Sequence, residues 1–592
     1  AADPNVIGVG ALAQDSFELA WYSNFGENTD VVAPGTVYTA KMDGGYRYID
    51  GTSFASPVTV GVLALQLSYD RNYRGIYYPE FSQIQELLHA SSTDLGDLGK
   101  DWYYGYGAVH ATDLILSERK EITFNYLTEE IDNTKQVFIK NKPLQDIPEP
   151  ERNYAVFDGW YYDIYCTEEY QLYSDTWSND LTMYCNWANE DDSVPYTYVE
   201  LDDGTIEIRS YTGKRRYITI PEYIDGKVVS SIGVEAFQNQ TRLRLVNLPK
   251  QLKYIRSNAF SNCTNLTSVN IPDTVSIIDS GAFQNAVRLY NVNFTANSKL
   301  EVIGFYAFAN CANLSRIDLP IGVKSVTGSS FLGCTSLKQV NADKNSNILS
   351  SVDGVLFNKS RTNLIVYPAG KQEETYTVPS SVTTLGENAF AYSRIKTIDL
   401  KNVKTISEVC FQFSNIRTVE LSDNVTYLGK NAFQYSNITN IKLGHGLNVI
   451  NEGVFAYTHL LNNIEIPNTI QIIEIAAFTY SGVNTVTFEE DSNLIVFESS
   501  SFAYSNINKL DLPDSVIAIG SEAFMNSSLS QLNISSTSNL TLINNHAFLN
   551  CSIKEVNIPN KVQYIGQFAF ANTLLKEVNI PASVTEFEPG VF

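Results

Sequence analysis

Residues 259–272 read Ala-Phe-Ser-Asn-Cys-Thr-Asn-Leu-Thr-Ser-Val-Asn-Ile-Pro, and the same plan recurs down to residue 592. Its phenylalanine returns at intervals of 21 to 25 residues in two long runs. These positions are Phe237, Phe260, Phe283, Phe308 and Phe331, then Phe390, Phe411, Phe433, Phe455, Phe478, Phe502, Phe524, Phe548, Phe570 and Phe592. A fixed period of this length indicates a solenoid, because one unit cannot bury its apolar face alone and must stack on its neighbours.

Each repeat supplies the same parts. An Ala-Phe pair, such as Ala389-Phe390, provides an interior anchor. A strand of the form Leu-x-x-Val-x-Ile-Pro follows, as at 575–581, and its proline ends the strand because proline cannot donate to a ladder. A second apolar pair comes next, as in Val562 and Ile565. The pattern predicts parallel sheets built from equivalent strands of successive coils.

On these residues the array, from about 205 to 592, resembles the BspA-type leucine-rich repeat family. The stretch 353–370, which begins Asp-Gly-Val-Leu-Phe-Asn, resembles an insertion typical of that family. The resemblance implies a long leucine-rich-repeat solenoid with parallel β-sheet. Because the chain stops inside a repeat, we expect the array to be truncated there.

The residue between the two apolar strand positions should face outward. Down the array it reads Asn247, Asn270, Asn293, Asp318, Asp399, Glu420, Lys442, Glu465, Thr487, Asp511, Asn533, Asn557 and Asn579. Such a file of asparagines and acids is either a docking surface for protein, glycan or cation, or a solvated face with side-chain amide ladders. The sequence leaves both interpretations open.

A different kind of signal lies near the start of the chain. Residues 51–57 read Gly-Thr-Ser-Phe-Ala-Ser-Pro and are followed by the uncharged apolar stretch 58–67. This pattern predicts a buried helix that begins near Ser53. A serine in that place is held rigidly, and a helix N-terminus favours negative charge developing beside it.

The flanks extend this signal. Four further stretches flank the serine run. They are an apolar stretch at 6–11, Ser-Asn-Phe-Gly at 23–26, Asp-Val-Val-Ala-Pro-Gly at 30–35 and, after the serine, Tyr-Gly-Tyr-Gly-Ala-Val at 104–109. With the serine run, residues 1–117 resemble the C-terminal portion of the subtilases, the subtilisin-like serine proteases. The resemblance implies a partial α/β domain with Ser53 as nucleophile, and Gly51, Thr52 and Ser53 beside the oxyanion.

The partners of that serine are missing from the sequence. Subtilases place the catalytic residues in the order Asp, His, Ser, yet the first histidine here is His89, after the serine. His110 lies where the closing segment of the family carries asparagine, and we expect both histidines to be structural. The oxyanion asparagine of the family is also absent, since neither Asn5 nor Asn24 lies in its motif. We therefore expect a fragment that lacks the catalytic Asp and His and is inactive alone.

Residues 121–189 form a separate module. Phe-Asp-Gly-Trp-Tyr at 157–161 and the alternating run 181–187 resemble the Listeria–Bacteroides repeat, a small β-grasp-like module. Trp160 and Trp187 either stack on sugars or form the core of a small domain. Cys166 and Cys185 either pair or remain free thiols. The acidic stretch 190–204 is predicted to be a linker.

Composition narrows the classes of partner. The net charge of −24 argues against nucleic acid and anionic membrane as direct partners. No apolar run approaches the roughly 18 residues of a membrane span. There is no Cys-x-x-Cys pair and no Cys/His cluster at metal-ligand spacing, so we expect no metal and no cofactor.

Two functions follow as hypotheses. One is a secreted or cell-surface serine endopeptidase that cleaves protein or peptide substrates, with the repeats providing adhesion or substrate docking on a surface protein or glycan. The alternative is a surface adhesin or binding protein with an inactive protease remnant.

Overall fold

The computed structural model describes residues 6–14, 16–20, 22–23, 29–40, 46–75, 81–95, 104–140, 147–148, 150, 155–168, 170, 178–189, 195–213 and 215–592. The chain divides into two compact units. The first comprises residues 1–195, 212–218 and 242–246. The second comprises residues 196–211, 219–241 and 247–592.

The first unit opens with an α/β arrangement. Strands β1 (Val9–Leu12) and β2 (Val31–Pro34) pair in parallel, and β3 (Thr36–Ala40) and β4 (Tyr46–Asp50) form an antiparallel hairpin. Three helices follow: α1 (Thr52–Tyr69), which continues into a π-helical turn at Asp70–Arg74, α2 (Phe81–Ser91) and α3 (Ala111–Leu116). Part of the predicted subtilase pattern, the run 24–26 and Asn5, lies outside the described residues.

The same unit contains a mixed four-stranded sheet. Its strands are β5 (Arg119–Asn125), β6 (Thr134–Ile139), β7 (Ala155–Tyr161) and β8 (Leu181–Asn189), in the order β6-β5-β8-β7. The central pair β5–β8 is parallel and the outer pairs are antiparallel.

The two tryptophans of this sheet belong to its interior. Trp160 is buried, packs against Phe124, and donates a hydrogen bond from Nε1 to the Pro148 carbonyl oxygen at 2.7 Å. Trp187 is half-buried and donates from Nε1 to the Tyr126 carbonyl oxygen at 2.6 Å. These contacts favour the core interpretation over sugar stacking.

The second unit is dominated by the solenoid, whose equivalent strands pair in parallel and in register, as Ser268–Ile271 does with Asn291–Phe294. The strands of the outward file in this unit are Ser268–Ile271, Asn291–Phe294, Arg316–Leu319, Gln339–Ala342, Thr375–Thr377, Thr397–Asp399, Thr418–Glu420, Asn440–Lys442, Asn463–Ile466, Thr485–Phe488, Lys509–Leu512 and Gln531–Ile534. Two earlier strands of the same file, Tyr217–Thr219 and Leu245–Asn247, are divided between the residue ranges of the two units. The short strands are Tyr254–Ile255, Ile277–Ile278, Val302–Ile303, Thr384–Leu385, Thr405–Ile406, Tyr427–Leu428, Val449–Ile450, Ile472–Ile473, Val496–Phe497, Ala518–Ile519, Leu542–Ile543, Tyr564–Ile565 and Glu586–Phe587. The predicted parallel solenoid is confirmed.

Two irregular regions complete this unit. At its start lie the strands Tyr196–Glu200, Ile206–Tyr211, Tyr223–Ile224 and Lys227–Ile232. The first of these falls in the range predicted as a linker, and it pairs antiparallel with Ile206–Tyr211, so ordered structure begins before residue 205. The strands Val355–Asn358 and Asn363–Val366 lie within the predicted insertion and form an antiparallel meander with the strand Leu349–Val352, which precedes it. A 3-10 turn lies at Gly328–Phe331.

The periodic phenylalanines stack in the core in two runs, 237–331 and 390–592, here together called the inner column. Phe411 and Phe433, for example, are fully buried, with ring centroids 5.0 Å apart and ring planes 2° from parallel. Two tyrosines occupy places in this column that the sequence pattern did not reveal. Tyr211 stacks on Phe237 at 5.2 Å, and Tyr367 stacks on Phe390 at 5.0 Å.

A second column of rings runs along an exposed turn, here called the outer column. It consists of Tyr392, Phe413, Tyr435, Tyr457, Tyr480 and Tyr504, with centroids 4.4 to 5.0 Å apart. Each of these residues has a positive φ, between 56° and 61°. Other coils place asparagine at the same turn, as at Asn262 and Asn285, whose amides bond at 2.8 Å. Rings therefore replace an amide ladder over six consecutive coils.

Candidate functional site

Ser53 is the second residue of α1, and its side chain is exposed. The hairpin β3–β4 leads directly into Gly51, the N-cap, whose amide donates to the Gly35 carbonyl oxygen at 2.9 Å. The Phe54 amide donates to the Gly51 carbonyl oxygen at 3.0 Å, which closes the first turn. Ser53 Oγ thus stands at the positive end of a helix, where a developing oxyanion is favoured.

Gly51 has a steric role beside this hydroxyl. A Cβ built at Gly51 would lie 3.1 Å from Ser53 Oγ, which is tighter than ordinary van der Waals contact. The absence of a side chain therefore keeps the approach to Ser53 Oγ open. Thr52, the first helical residue, is half-buried next to it.

Helix α1 is less covered than the sequence predicted. We expected the apolar stretch 58–67 to be buried, but Val60 is 64% exposed and Leu65 is 62% exposed. Only Ala55, Thr59 and Gln66 of this helix are buried. The expectation was wrong for one face, because the described residues pack against the other face alone.

The two histidines of this region are not brought to Ser53 among the described residues. His89 is buried, stacks on Tyr106 with centroids 3.9 Å apart, and has Nε2 3.8 Å from Asp30 Oδ1. His110 is the N-cap of α3, and its Nδ1 accepts a hydrogen bond from the Asp113 amide at 3.3 Å. Both histidines therefore have structural contacts, and no contact of either reaches the exposed Ser53.

The predicted outward file of the array is indeed solvent-facing. Its members are exposed or half-exposed, and several bond to the equivalent residue of the next coil. Asn293 Nδ2 donates to Asn270 Oδ1 at 2.8 Å, and Asn533 Nδ2 donates to Asp511 Oδ1 at 2.6 Å. Amide ladders therefore exist on this face, and some of its acids are paired with neighbouring side chains. Asp318, for example, accepts hydrogen bonds from Arg316 Nε at 3.0 Å and from Asn341 Nδ2 at 2.9 Å.

The cysteines are free thiols. Burial raises the pKa of Cys263 and of Cys334 to about 12, and that of Cys551 to about 11. Cys185 is also buried, whereas Cys166 is half-buried.

We therefore expect a colorimetric disulfide reagent at pH 8 to modify Cys166 alone in the native protein, because only thiolates react and only this thiol is accessible. All seven cysteines should react after unfolding. A Cys166→Ser variant is the control and should show no fast phase. If no thiol reacted in the native protein and two fewer than seven reacted after unfolding without reductant, Cys166 and Cys185 would be paired and the prediction wrong.

Comparison with known proteins identifies the larger part of the chain. The family described as BspA type Leucine rich repeat region matches residues 216–368, 369–484 and 473–592. The chain belongs to the BspA-type leucine-rich repeat family. A leucine-rich repeat protein from Eubacterium ventriosum is structurally similar over 59% of this chain and 97% of its own, with 21% identity and a TM-score of 0.43.

The start of the chain matches a second family. The Subtilase family matches residues 1–107. Thermophilic serine proteinase of Bacillus sp. strain AK1 is 34% identical over 112 residues, which cover 19% of this chain and 25% of that protein. Subtilisin DY of Bacillus licheniformis is 36% identical over 109 residues, which cover 18% of this chain and 35% of that protein. The leucine-rich repeat chain thus starts with a partial subtilisin-like domain of the serine protease kind, spanning a quarter to a third of these relatives.

Two further properties concern only the part of the chain that the structure describes. None of its helices combines the length and apolar character that crossing a membrane requires. No group of three or more His, Cys, Asp or Glu side chains is arranged to hold a metal ion in these residues.

Proposed function

We propose that the chain carries the nucleophile-bearing part of a secreted or cell-surface subtilisin-like serine endopeptidase, joined to a repeat array that docks it on a surface or on its substrate. The observation that supports this most directly is Ser53, an exposed hydroxyl at the start of α1 within the stretch that matches the Subtilase family. The similarity to Subtilisin DY over 109 residues and to the Bacillus proteinase over 112 residues supports the same proposal.

In the proposed reaction, Ser53 Oγ attacks a peptide carbonyl carbon while its proton passes to a histidine. The amine leaves with that proton, and water then hydrolyses the acyl-enzyme. The backbone N–H groups at the start of α1 stabilise the negative oxygen of the tetrahedral intermediate.

The proposal assigns the histidine and the aspartate to the part of a subtilase domain that precedes the serine. Residues 1–592 are then inactive by themselves, because loss of triad partners costs on the order of a millionfold in rate. Protein or peptide substrates follow from the same proposal, as does an extracellular or cell-surface location.

A second candidate function is a surface-binding protein with an inactive protease portion. It is favoured by the geometry of His89 and His110, neither of which contacts Ser53. In that case the function of the protein is binding, and the array, which makes up most of the chain, carries it out.

Fluorophosphonate labelling of the native protein from its source decides between the two. We expect labelling that is lost in Ser53→Ala and retained in Ser56→Ala, since Ser56 is a second exposed serine in the first turns of α1. Retention of label in Ser53→Ala, or no labelling of the native protein at all, would contradict the protease proposal. Residues 1–592 produced alone should remain unlabelled.

A further inference from the structure

A cavity of about 480 Å³ opens on the outward file of the array. Glu420, Lys442 and Glu465, which occupy the file position in three successive coils, line it together with Asp423, His445 and Glu489. The cavity is therefore built from residues far apart in sequence that coil stacking brings together.

A local break in the regular solenoid creates the cavity. The parallel sheet on this face ends at Asn440–Lys442, and the next one starts at Asn463–Ile466. Between them the chain reads Gly444-His445-Gly446, where the following coil has Pro467-Asn468-Thr469.

The two glycines of this turn permit a close approach to the preceding coil. A Cβ at Gly444 would lie 2.6 Å from the Ser422 carbonyl oxygen, and one at Gly446 would lie 2.3 Å from the Asp423 carbonyl oxygen. Real Cβ atoms do not tolerate such distances. The Gly-His-Gly turn thus lies against its neighbour and presents His445 at the mouth of the cavity.

His445 bridges two carboxylates from different coils. Its Nδ1 lies 3.3 Å from Asp423 Oδ1, and its Nε2 lies 3.0 Å from Glu489 Oε2. The hydrogen bond to Glu489, and then that to Asp423, raise the pKa of His445. The bridge fixes one end of the cavity.

The two remaining carboxylates of the cavity, those of Glu420 and Glu465, differ in their ion pairing. Lys442 Nζ lies 2.9 Å from Glu420 Oε1, so these two charges offset each other. Glu465 is exposed, and its carboxylate forms no ion pair or hydrogen bond with the residues that the structure describes. The four carboxylates of the cavity exceed its cations, and Glu465 is the acceptor left open.

The other lining residues are Leu421, Ser422, Ile441, Leu443, Gly444 and Pro467. Leu421, Leu443 and Pro467 are buried and Ile441 is half-buried, so apolar atoms lie at the base of the cavity beneath the charged side chains. A surface of this kind accommodates the methylene stem of a long basic side chain, while the carboxylates bind its charged head.

We propose that this cavity binds a lysine or arginine side chain presented by a protein partner. Charge complementarity selects the cation, and the apolar lining selects a protein side chain over a small hydrated ion. The inference deepens the docking role proposed for the array. It is tested by binding alone, so its outcome is separate from any result on Ser53.

The test uses residues 1–592 and a fluorescent peptide, acetyl-Gly-Ser-Gly-Arg-Gly-Ser-Gly-amide, with binding followed by fluorescence anisotropy. A peptide with citrulline in place of arginine keeps the shape and lacks the charge. We expect Glu465→Gln to weaken binding of the arginine peptide about tenfold, as for loss of one charged hydrogen bond. Glu555→Gln, an exposed glutamate elsewhere on the array, is the control of equal charge and should leave binding unchanged.

A second variant, which should change the affinity in the opposite direction, distinguishes the loss of a binding group from a structural effect. Lys442→Gln removes the competing cation and frees Glu420, so we expect tighter binding. Equal effects of Glu465→Gln and Glu555→Gln would overturn the proposal, because binding would then be a diffuse attraction to a chain of net charge −24. Equal binding of the citrulline peptide would also overturn it, as would binding of spermine without binding of the arginine peptide.

Discussion

Replacing Phe433 by alanine is expected to destabilise the surrounding coils by about 3–5 kcal/mol, the usual cost of truncating a buried aromatic residue. Phe433 is fully buried, and its ring lies 5.0 Å from that of Phe411 and 5.7 Å from that of Phe455. The substitution therefore leaves a cavity in the inner column and removes two stacking contacts. Because each repeat contacts only its neighbours, the loss should stay local.

Hydrogen–deuterium exchange with mass spectrometry measures this effect coil by coil. We expect faster exchange in the strands Thr418–Glu420, Asn440–Lys442 and their neighbours, with little change beyond. Tyr435→Asn in the same coil is the control. It exchanges a half-exposed ring of the outer column for the residue that other coils use at this positive-φ turn, so it should cost about 1 kcal/mol or less. Equal effects of the two variants would contradict the inner column as the source of stability.

Asp158→Ala is expected to destabilise the first unit by about 3–5 kcal/mol, because it removes the buried carboxylate that offsets the charge of a buried arginine. Asp158 and Arg216 are both buried, and Asp158 Oδ1 lies 3.3 Å from Arg216 Nε. Asp158 Oδ2 lies 3.3 Å from Arg242 Nη2 and accepts a hydrogen bond from Asn186 Nδ2 at 3.1 Å. Burial raises the pKa of Asp158, and the two arginines oppose that rise.

The matched control for this variant is an exposed pair in the same sheet. Glu121 and Lys135 form an ion pair at 2.7 Å in solvent, and exposed pairs contribute about 0–1 kcal/mol. Exchange in the strands Ala155–Tyr161 and Leu181–Asn189 should accelerate strongly in Asp158→Ala and hardly in Glu121→Ala. Similar rates in the two variants would show that the buried network is not what stabilises this sheet.

The sequence was sufficient to predict the solenoid because its signal is repeated. Fifteen phenylalanines at a nearly constant interval within each run leave little choice of architecture, and the structure stacks them in two runs of the inner column. Tyr211 and Tyr367 escaped prediction because they differ in identity from the residues that they continue, and Tyr367 lies within the insertion 353–370, which breaks the period. The outward file was likewise predicted, since alternation along a strand fixes which residues face solvent.

Of the two candidate sites, the sequence predicted the one at Ser53 but not the one at His445. A local motif predicted the start of α1 and the place of Ser53, but the covering of that helix depends on contacts that no local pattern contains. The cavity at His445 was missed altogether. Its carboxylates, Asp423 and Glu489, are 22 and 44 residues from the histidine, so only the stacking of coils brings the three together. The one sequence signal was the Gly-His-Gly turn, which differs from the proline of the next coil.

The outer column gives the array its own optical signature. Its rings stack at 4.4 to 5.0 Å, close enough for the electronic transitions of neighbouring phenols to couple and shape the near-ultraviolet circular dichroism. All five tryptophans, in contrast, precede residue 190, so indole emission arises only from the first unit. The melting of the first unit can therefore be followed by indole emission in a sample of the intact chain.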